Sequence, residues 1–250
     1  AYKKAFKSGG IDNSALPTAS INPLSPTFEG FDALIYDSEE VDGFEIGLKS
    51  NLLDNNMRLN ATYYKYEYTD LQVQLFDAAI IQFSTFNAGA VETEGFEADL
   101  LWYTDIPGLS LRGQFAWTDA TNTGDFITPG GENLKGSKRS YSPEIAGSFG
   151  LSYDSALSNG WRYNISTDAR YSDEYGWGTY IDSPMQDSFW INDVALSLYS
   201  EDGKHSFNLI GRNLGDEIVI ITGGAIPGRI STQTGTSALI QDQALTTGQG

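Results

Sequence analysis

The chain has 250 residues, with 15 Lys and Arg against 33 Asp and Glu, a formal charge of −18, 27 glycines and 13% aromatic residues. So acidic a balance excludes a nucleic-acid partner, because neutralising phosphates takes clustered basic side chains. The absence of cysteine excludes a disulfide framework, a thiolate nucleophile and a Cys-ligated metal, and no run approaches the ~18 apolar residues of a membrane-spanning helix.

Residues 1–40 have weak periodicity and many turn formers, Gly9-Gly10, Asn13-Ser14, Pro17, Pro23 and Pro26. They read as an extracellular loop region with room for one short strand near Phe31 to Ile35. From 41 to 213 the chain becomes regular, and about eight transmembrane strands are expected, at 43–51, 56–75, 80–103, 109–120, 141–154, 161–172, 188–200 and 205–213. The links Leu52 to Asn55, Thr104 to Gly108, Ser155 to Gly160 and Glu201 to Lys204 are tight and rich in Asp, Asn, Gly and Pro. The links near 121–140, 173–187 and from 214 onward are long. The link near Asp77 departs from this rhythm, between two strands that read as unusually long. Residues 214–250 read as an extracellular loop before a final strand that the chain does not contain. Tight turns at one end and long loops at the other predict an up-and-down antiparallel sheet.

The alternation is clearest in GWRYNISTDARYSDEYGW, residues 160–177: Trp161, Tyr163, Ile165, Thr167, Ala169 and Tyr171 fall on one face, and Arg162, Asn164, Ser166, Asp168 and Arg170 on the other. Leu109, Leu111, Phe115 and Trp117 likewise oppose Ser110, Arg112, Gln114 and Ala116. A soluble sandwich alternates too, with its apolar face inward. Here, however, rings gather at the ends of the apolar faces, as the interfacial girdles of a membrane barrel do. About ten residues at ~3.4 Å each, tilted ~40°, rise roughly 26 Å, close to the ~25 Å apolar band of such barrels. Arg112, Arg162, Asp168 and Arg170 are therefore expected to line a wet lumen, which avoids the desolvation cost of a dry core.

Four stretches, in order along the chain, resemble the barrel strands of TonB-dependent outer-membrane receptors: SEEVDGFEIGLKSNLLDNNMRLNATYYKYEYTDLQVQ (38–74), NAGAVETEGFEADL (87–100), RSYSPEIAGSFGLSYD (139–154) and FNLIGRNLGDE (207–217). The resemblance implies an all-β fold, a fragment of a transmembrane antiparallel up-and-down barrel, of 22 strands with an N-terminal plug in that family. It also implies a multi-pass protein of the cell outer membrane that takes up a scarce solute, a ferric siderophore, cobalamin or oligosaccharide. The TonB complex would act through a plug domain not in this chain, and no cofactor or covalent chemistry is expected. In the loops 121–140 and 173–187 the ligand-contact candidates are Arg139, Trp177 and Tyr180.

Other constellations are weaker. His205, the one histidine, stands beside a tight turn and lacks a partner for nucleophilic catalysis. Asp173, Glu174 and Asp182 invite comparison with a paired-carboxylate glycosidase, but they share one loop with rings that also suit sugar contact. The acidic groups Asp37 to Asp42 and Glu92 to Asp99 lack calcium-loop spacing; at an outer rim they would share divalent cations with lipopolysaccharide. Lys135, Lys138 and Arg139, the basic cluster, suit an anionic ligand or a lipid phosphate. Two alternatives stay open: a passive porin or small barrel, and a soluble β-sandwich carbohydrate-binding module.

Overall fold

The computed structural model describes residues 1–12, 34–77, 82–128, 131–176, 185–226 and 242–248. In chain order the strands are β1 (Tyr2–Lys7), β2 (Gly10–Ile11), β3 (Ile35–Tyr36), β4 (Glu39–Leu52), β5 (Met57–Thr69), β6 (Leu71–Asp77), β7 (Gln82–Ala88), β8 (Val91–Tyr103) and β9 (Leu109–Asn122). There follow β10 (Ile145–Ala156), β11 (Arg162–Ser172), β12 (Tyr175–Gly176), β13 (Met185–Gln186), β14 (Phe189–Tyr199), β15 (Ser206–Gly211), β16 (Val219–Ile226) and β17 (Asp242–Gly248). One nine-stranded sheet runs β1-β4-β5-β8-β9-β10-β11-β14-β15, antiparallel throughout and in chain order. The pairs β2/β3, β6/β7, β12/β13 and β16/β17 are separate two-stranded ribbons. Each of the first three lies within a long connection, all at one end of the sheet.

At the other end the links are tight. Gly108 and Gly160 turn the chain at φ of 82° and 85°, a region that costs L side chains energy and glycine little. β10 begins at Ile145, four residues later than the pattern suggested, because Pro143 has no N–H to give to a ladder.

Register carries the alternation of single strands across the whole sheet, since directly paired residues point to one side. One row reads Leu48, Ala61, Ala98, Phe115, Gly147, Tyr171, Trp190. The row beside it, on the opposite face, reads Lys49, Asn60, Asp99, Gln114, Ser148, Arg170, Ile191. The apolar face has nothing packed on it: Ile46 is 68% exposed, Phe149 52% and Ile165 42%. Its rings meet sideways, Phe44 with Tyr63 at 6.0 Å and Tyr171 with Trp190 at 4.9 Å between centroids.

Two expectations differ from what the chain does. Residues 1–40 read as loop, yet Tyr2–Lys7 is an edge strand paired with β4. Three lysines mask the alternation of Tyr2 and Phe6 in the sequence, and two of them meet acids of the neighbouring strand, Lys3 with Glu45 at 2.6 Å and Lys4 with Glu40 at 3.1 Å. The strands expected at 56–75 and 80–103 each break in two, at Asp70 and at Gly89-Ala90, and the outer pieces pair as β6/β7. Asp70 takes a φ of 52°, which a short polar side chain tolerates. The irregular link near Asp77 thereby becomes a long one, like the others at that end.

The buried apolar cluster lies outside the nine-stranded sheet. Leu75 and Ala88 of the β6/β7 ribbon pack with Phe126 and Leu134 of the 123–138 connection, with Leu71, Val73 and Phe86 at the margin.

Candidate functional site

The polar face is a wall of half-exposed ion pairs. Arg112 of β9 grips Asp168 of β11 through both Nε, at 3.2 Å, and Nη2. Arg170 reaches Asp193 of β14 at 3.0 Å, and Arg162 pairs with Asp154 of β10. Asn60 donates to both oxygens of Asp99 at 3.0 Å, with Arg58 behind at 3.9 Å. Each pair joins neighbouring strands or strands two apart, where alternation places like faces together. Half-exposed pairs of this kind contribute only about 0–1 kcal/mol each. The chemical consequence is a water-compatible surface with alternating charge.

Where the long connections converge, the face ends in a recess of about 400 Å³ between Thr118, Arg139, Ser142, Asp173, Tyr175 and Ser188. Lys138 and Arg139 enter it from opposite sides of the sheet. Lys138 is bridged to Thr121 and pairs with Asp119 at 2.8 Å, on the side of the apolar face. Arg139 donates its backbone N–H to Ala120 and its Nη1 to Asn122 Oδ1 at 3.3 Å, on the polar side. Arg139 is half-buried, and that burial lowers its pKa from the ordinary arginine value. Asn122 is buried and fully engaged: its amide nitrogen donates to Ser137 O and Oγ, and Oδ1 receives Arg139.

The other candidates fall out differently. Asp173 caps strand ends, its Oδ2 accepting Ile145 N–H at 3.1 Å and its Oδ1 the Tyr171 hydroxyl at 2.6 Å. These two bonds tie it into the fold. His205 donates its N–H to Ser200 Oγ at 2.9 Å in the β14/β15 turn. Among the described residues no three His, Asp or Glu side chains group as metal ligands. Trp177, Tyr180 and Asp182 lie outside the described residues. Asn122 was missed by sequence reasoning: an Asn-Thr pair at a strand end reads as an ordinary turn, and only the fold puts Ser137 and Arg139 around it. The amide clamp formed by Gln72, which donates to Ser8 O at 2.9 Å and Asp37 O at 3.0 Å, was missed for the same reason.

No curated protein matches the chain. Among solved structures it is similar to the ferric yersiniabactin uptake receptor FyuA from Yersinia pestis, at 15% identity and TM-score 0.68, over 99% of this chain and 32% of that one. It is similar to the siderophore receptor PiuA from Acinetobacter baumannii, at 19% identity and TM-score 0.66, over 100% and 31%. It is also similar to the ferric-catecholate import receptor Fiu from E. coli K12, at 22% identity and TM-score 0.59, over 88% and 29%. Such identities show the fold alone: a stretch of transmembrane antiparallel β-barrel, up and down in chain order. The chain spans about a third of the length of the structures it matches. A family model described as TonB-dependent receptor-like, beta-barrel, matches residues 1–214, and the chain belongs to that family.

Proposed function

We propose that this chain is barrel wall of an outer-membrane receptor for TonB-dependent active uptake of a scarce solute, with a ferric siderophore ahead of cobalamin or an oligosaccharide. The observation that carries the proposal is the pair of adjacent rows, one apolar and unpacked, the other polar in six of its seven positions, running through seven strands without a slip. The strands pass repeatedly through the outer membrane with the apolar face on lipid. The wall of Arg112, Asp168, Arg170 and Arg162 lines the lumen. No chemical step is needed: the wall supplies a hydrated path, and directionality comes from the TonB complex acting through a plug domain outside this chain. The similar receptors from Yersinia pestis and E. coli take up ferric yersiniabactin and ferric catecholate, which favours the siderophore.

Solute contact belongs to the long connections 121–140 and 173–187, with Arg139 at the recess and Trp177 and Tyr180 beyond the described residues. On the outward face, beyond the row of Ile46, Tyr63 and Phe96, stand Lys65 and Glu94 level with Phe44, then Lys4, Asp42, Glu67 and Glu92, and then Glu40. This level meets lipopolysaccharide headgroups.

The test is uptake of a radio-iron siderophore by cells expressing the full-length receptor, with and without functional TonB. Accumulation that requires TonB is the expected result; equal entry without it identifies a passive pore, the runner-up reading. In the same cells, a chelator should release lipopolysaccharide that co-purifies with the receptor, and full retention would speak against the rim contact.

A further inference from the structure

The first three turns at the tight end of the sheet each carry an exposed aliphatic side chain: Leu53 is 57% exposed, Ile106 56% and Leu157 44%. A single exposed apolar residue is ordinary, but these recur turn after turn, and one of them is held at a cost. Leu53 takes a φ of 53°, followed by Asp54 at 54° and Asn55 at 69°. Short polar side chains tolerate that region; a branched apolar one is disfavoured there. An asparagine would suit the backbone better, so the leucine is retained for what it touches. The fourth turn is the contrast. Glu201, Asp202, Gly203 and Lys204 include no apolar residue, and Asp202 closes that turn on itself, accepting the Ser200 hydroxyl at 2.7 Å and the Lys204 N–H at 3.1 Å.

A carboxylate stands beside each aliphatic turn. Asp54 follows Leu53, and Asp105 precedes Ile106. Glu201 lies against the third turn: a Cβ on Gly160 would meet its Oε2 at 2.5 Å, and Gly160 donates its N–H to Leu157 O at 3.0 Å. Among the described residues none of these three carboxylates has a hydrogen bond or ion pair. The apolar face runs straight into the turns. Leu52 and Met57 border the first and share a row with Trp102 and Leu111. Trp102 and Leu109 border the second, and Trp161, whose carbonyl accepts the Leu157 N–H at 2.6 Å, borders the third. Rings at the end of an apolar face mark the headgroup level of a bilayer, and the turns lie just beyond them. Tight turns of outer-membrane barrels face the periplasm.

We propose that these three turns are seated in the headgroup layer of the periplasmic leaflet, where Asp54, Asp105 and Glu201 accept the ammonium groups of aminophospholipids. This rests on the outer-membrane reading above and adds the class of lipid met at the periplasmic rim. The aliphatic side chains enter the headgroup and acyl boundary as those of an interfacial helix do. The carboxylates are charge-assisted acceptors for a primary ammonium; a trimethylammonium has no N–H to donate, and an anionic headgroup is repelled. A periplasmic protein fits less well, because the apolar surface is continuous with the lipid side of the strands.

The experiment places a nitroxide on the full-length receptor, free of other cysteines, at Leu53→Cys, Ile106→Cys or Leu157→Cys. Lys204→Cys is the exposed reference and Leu48→Cys the hydrocarbon reference. The receptors are reconstituted in vesicles of phosphatidylethanolamine or of phosphatidylcholine, each with the same share of phosphatidylglycerol. Power saturation then reads collisions with a water-soluble nickel chelate present on both sides. In phosphatidylethanolamine the labels at Leu53, Ile106 and Leu157 should collide severalfold less often than the label at Lys204, and in phosphatidylcholine that protection should shrink. Asp54→Asn, Asp105→Asn and Glu201→Gln combined should abolish the difference between the two lipids. Collision rates at the three turns equal to that at Lys204, with the Leu48 label shielded, would put the turns in water and overturn the proposal alone. A Leu48 label in water would reject the membrane reading with it. Equal protection in both lipids overturns the aminophospholipid assignment, and protection found in isolated cell envelopes but not in vesicles gives the rim to a protein instead.

Discussion

Single residues shape the polar wall through what stands opposite its glycines. Gly95 is the register partner of Tyr64, and a Cβ there would stand 2.5 Å from the Tyr64 hydroxyl and 2.6 Å from the Trp117 carbonyl oxygen. The missing side chain lets the Tyr64 ring lie along the wall, its hydroxyl 3.1 Å from Thr118 Oγ1. Gly150 serves Arg112 in the same way, with a Cβ 2.5 Å from Nε. Gly113, on the apolar face, has its nearest neighbour at 3.8 Å. Gly95→Ala should therefore destabilise the barrel by about 1–3 kcal/mol, because a backbone carbonyl must shift. Gly113→Ala should change stability by less than about 1 kcal/mol in either direction. Urea unfolding of the full-length receptor in detergent compares them, and equal midpoints would sink the explanation.

Elements are held by two unlike kinds of cohesion. The nine strands cohere through backbone ladders and leave their apolar side chains outward, while the outer connections have a core of their own. Phe126 and Leu134, each 2% exposed, insert between the 123–138 connection and the β6/β7 ribbon, and Phe86 meets Phe126 edge-on at 6.2 Å. Thr123 and Gly124 donate to Ala90 O at 2.8 and 3.0 Å, which latches the connection onto the point where β7 gives way to β8. The two connections thus form one unit. Phe126→Ala should cost that unit about 3–5 kcal/mol, the usual effect of emptying a buried ring site. Limited proteolysis should then cut both connections faster while the strands stay resistant; unchanged cleavage, or loss of the whole barrel, would contradict an independent outer core. The sequence signalled neither half of this unit as a partner of the other. Leu71, Val73 and Leu75 continue the period of β5, and Phe126 and Leu134 are isolated apolar residues among turn formers, so the contact exists only once the chain has folded back.

For the whole molecule the decisive property is a sheet with exposed apolar rows on one face and paired charges on the other. Leu48 lies on the apolar face of β4, midway between Phe44 and Leu52, and Lys49, one residue on, lies at nearly the same depth on the wall. If lipid lies against Leu48, Leu48→Arg should weaken folding into vesicles by about 2–4 kcal/mol, the depth-dependent cost of arginine at the bilayer midplane. The wall already accommodates Lys49 at that level. Folding yields across a urea series in phospholipid vesicles measure the difference, and a Leu48→Arg receptor that folds like wild type would mean that this face does not meet hydrocarbon.

Alternation of period two, rings at the ends of the apolar faces and the contrast of tight and long links are properties of neighbouring residues. The sequence alone therefore determined the two faces of the strands and their antiparallel meander, and it placed Arg112, Arg162, Asp168 and Arg170 on one side. What pairs with what is a matter of register between segments far apart in the chain. Only the tertiary structure could join β1 to the acids of β4, break the two long strands at Asp70 and Gly89, match Arg112 to Asp168, and leave Arg139 with an amide where its neighbours have a carboxylate. Ladder hydrogen bonds between distant strands set those distances, and no local pattern encodes them.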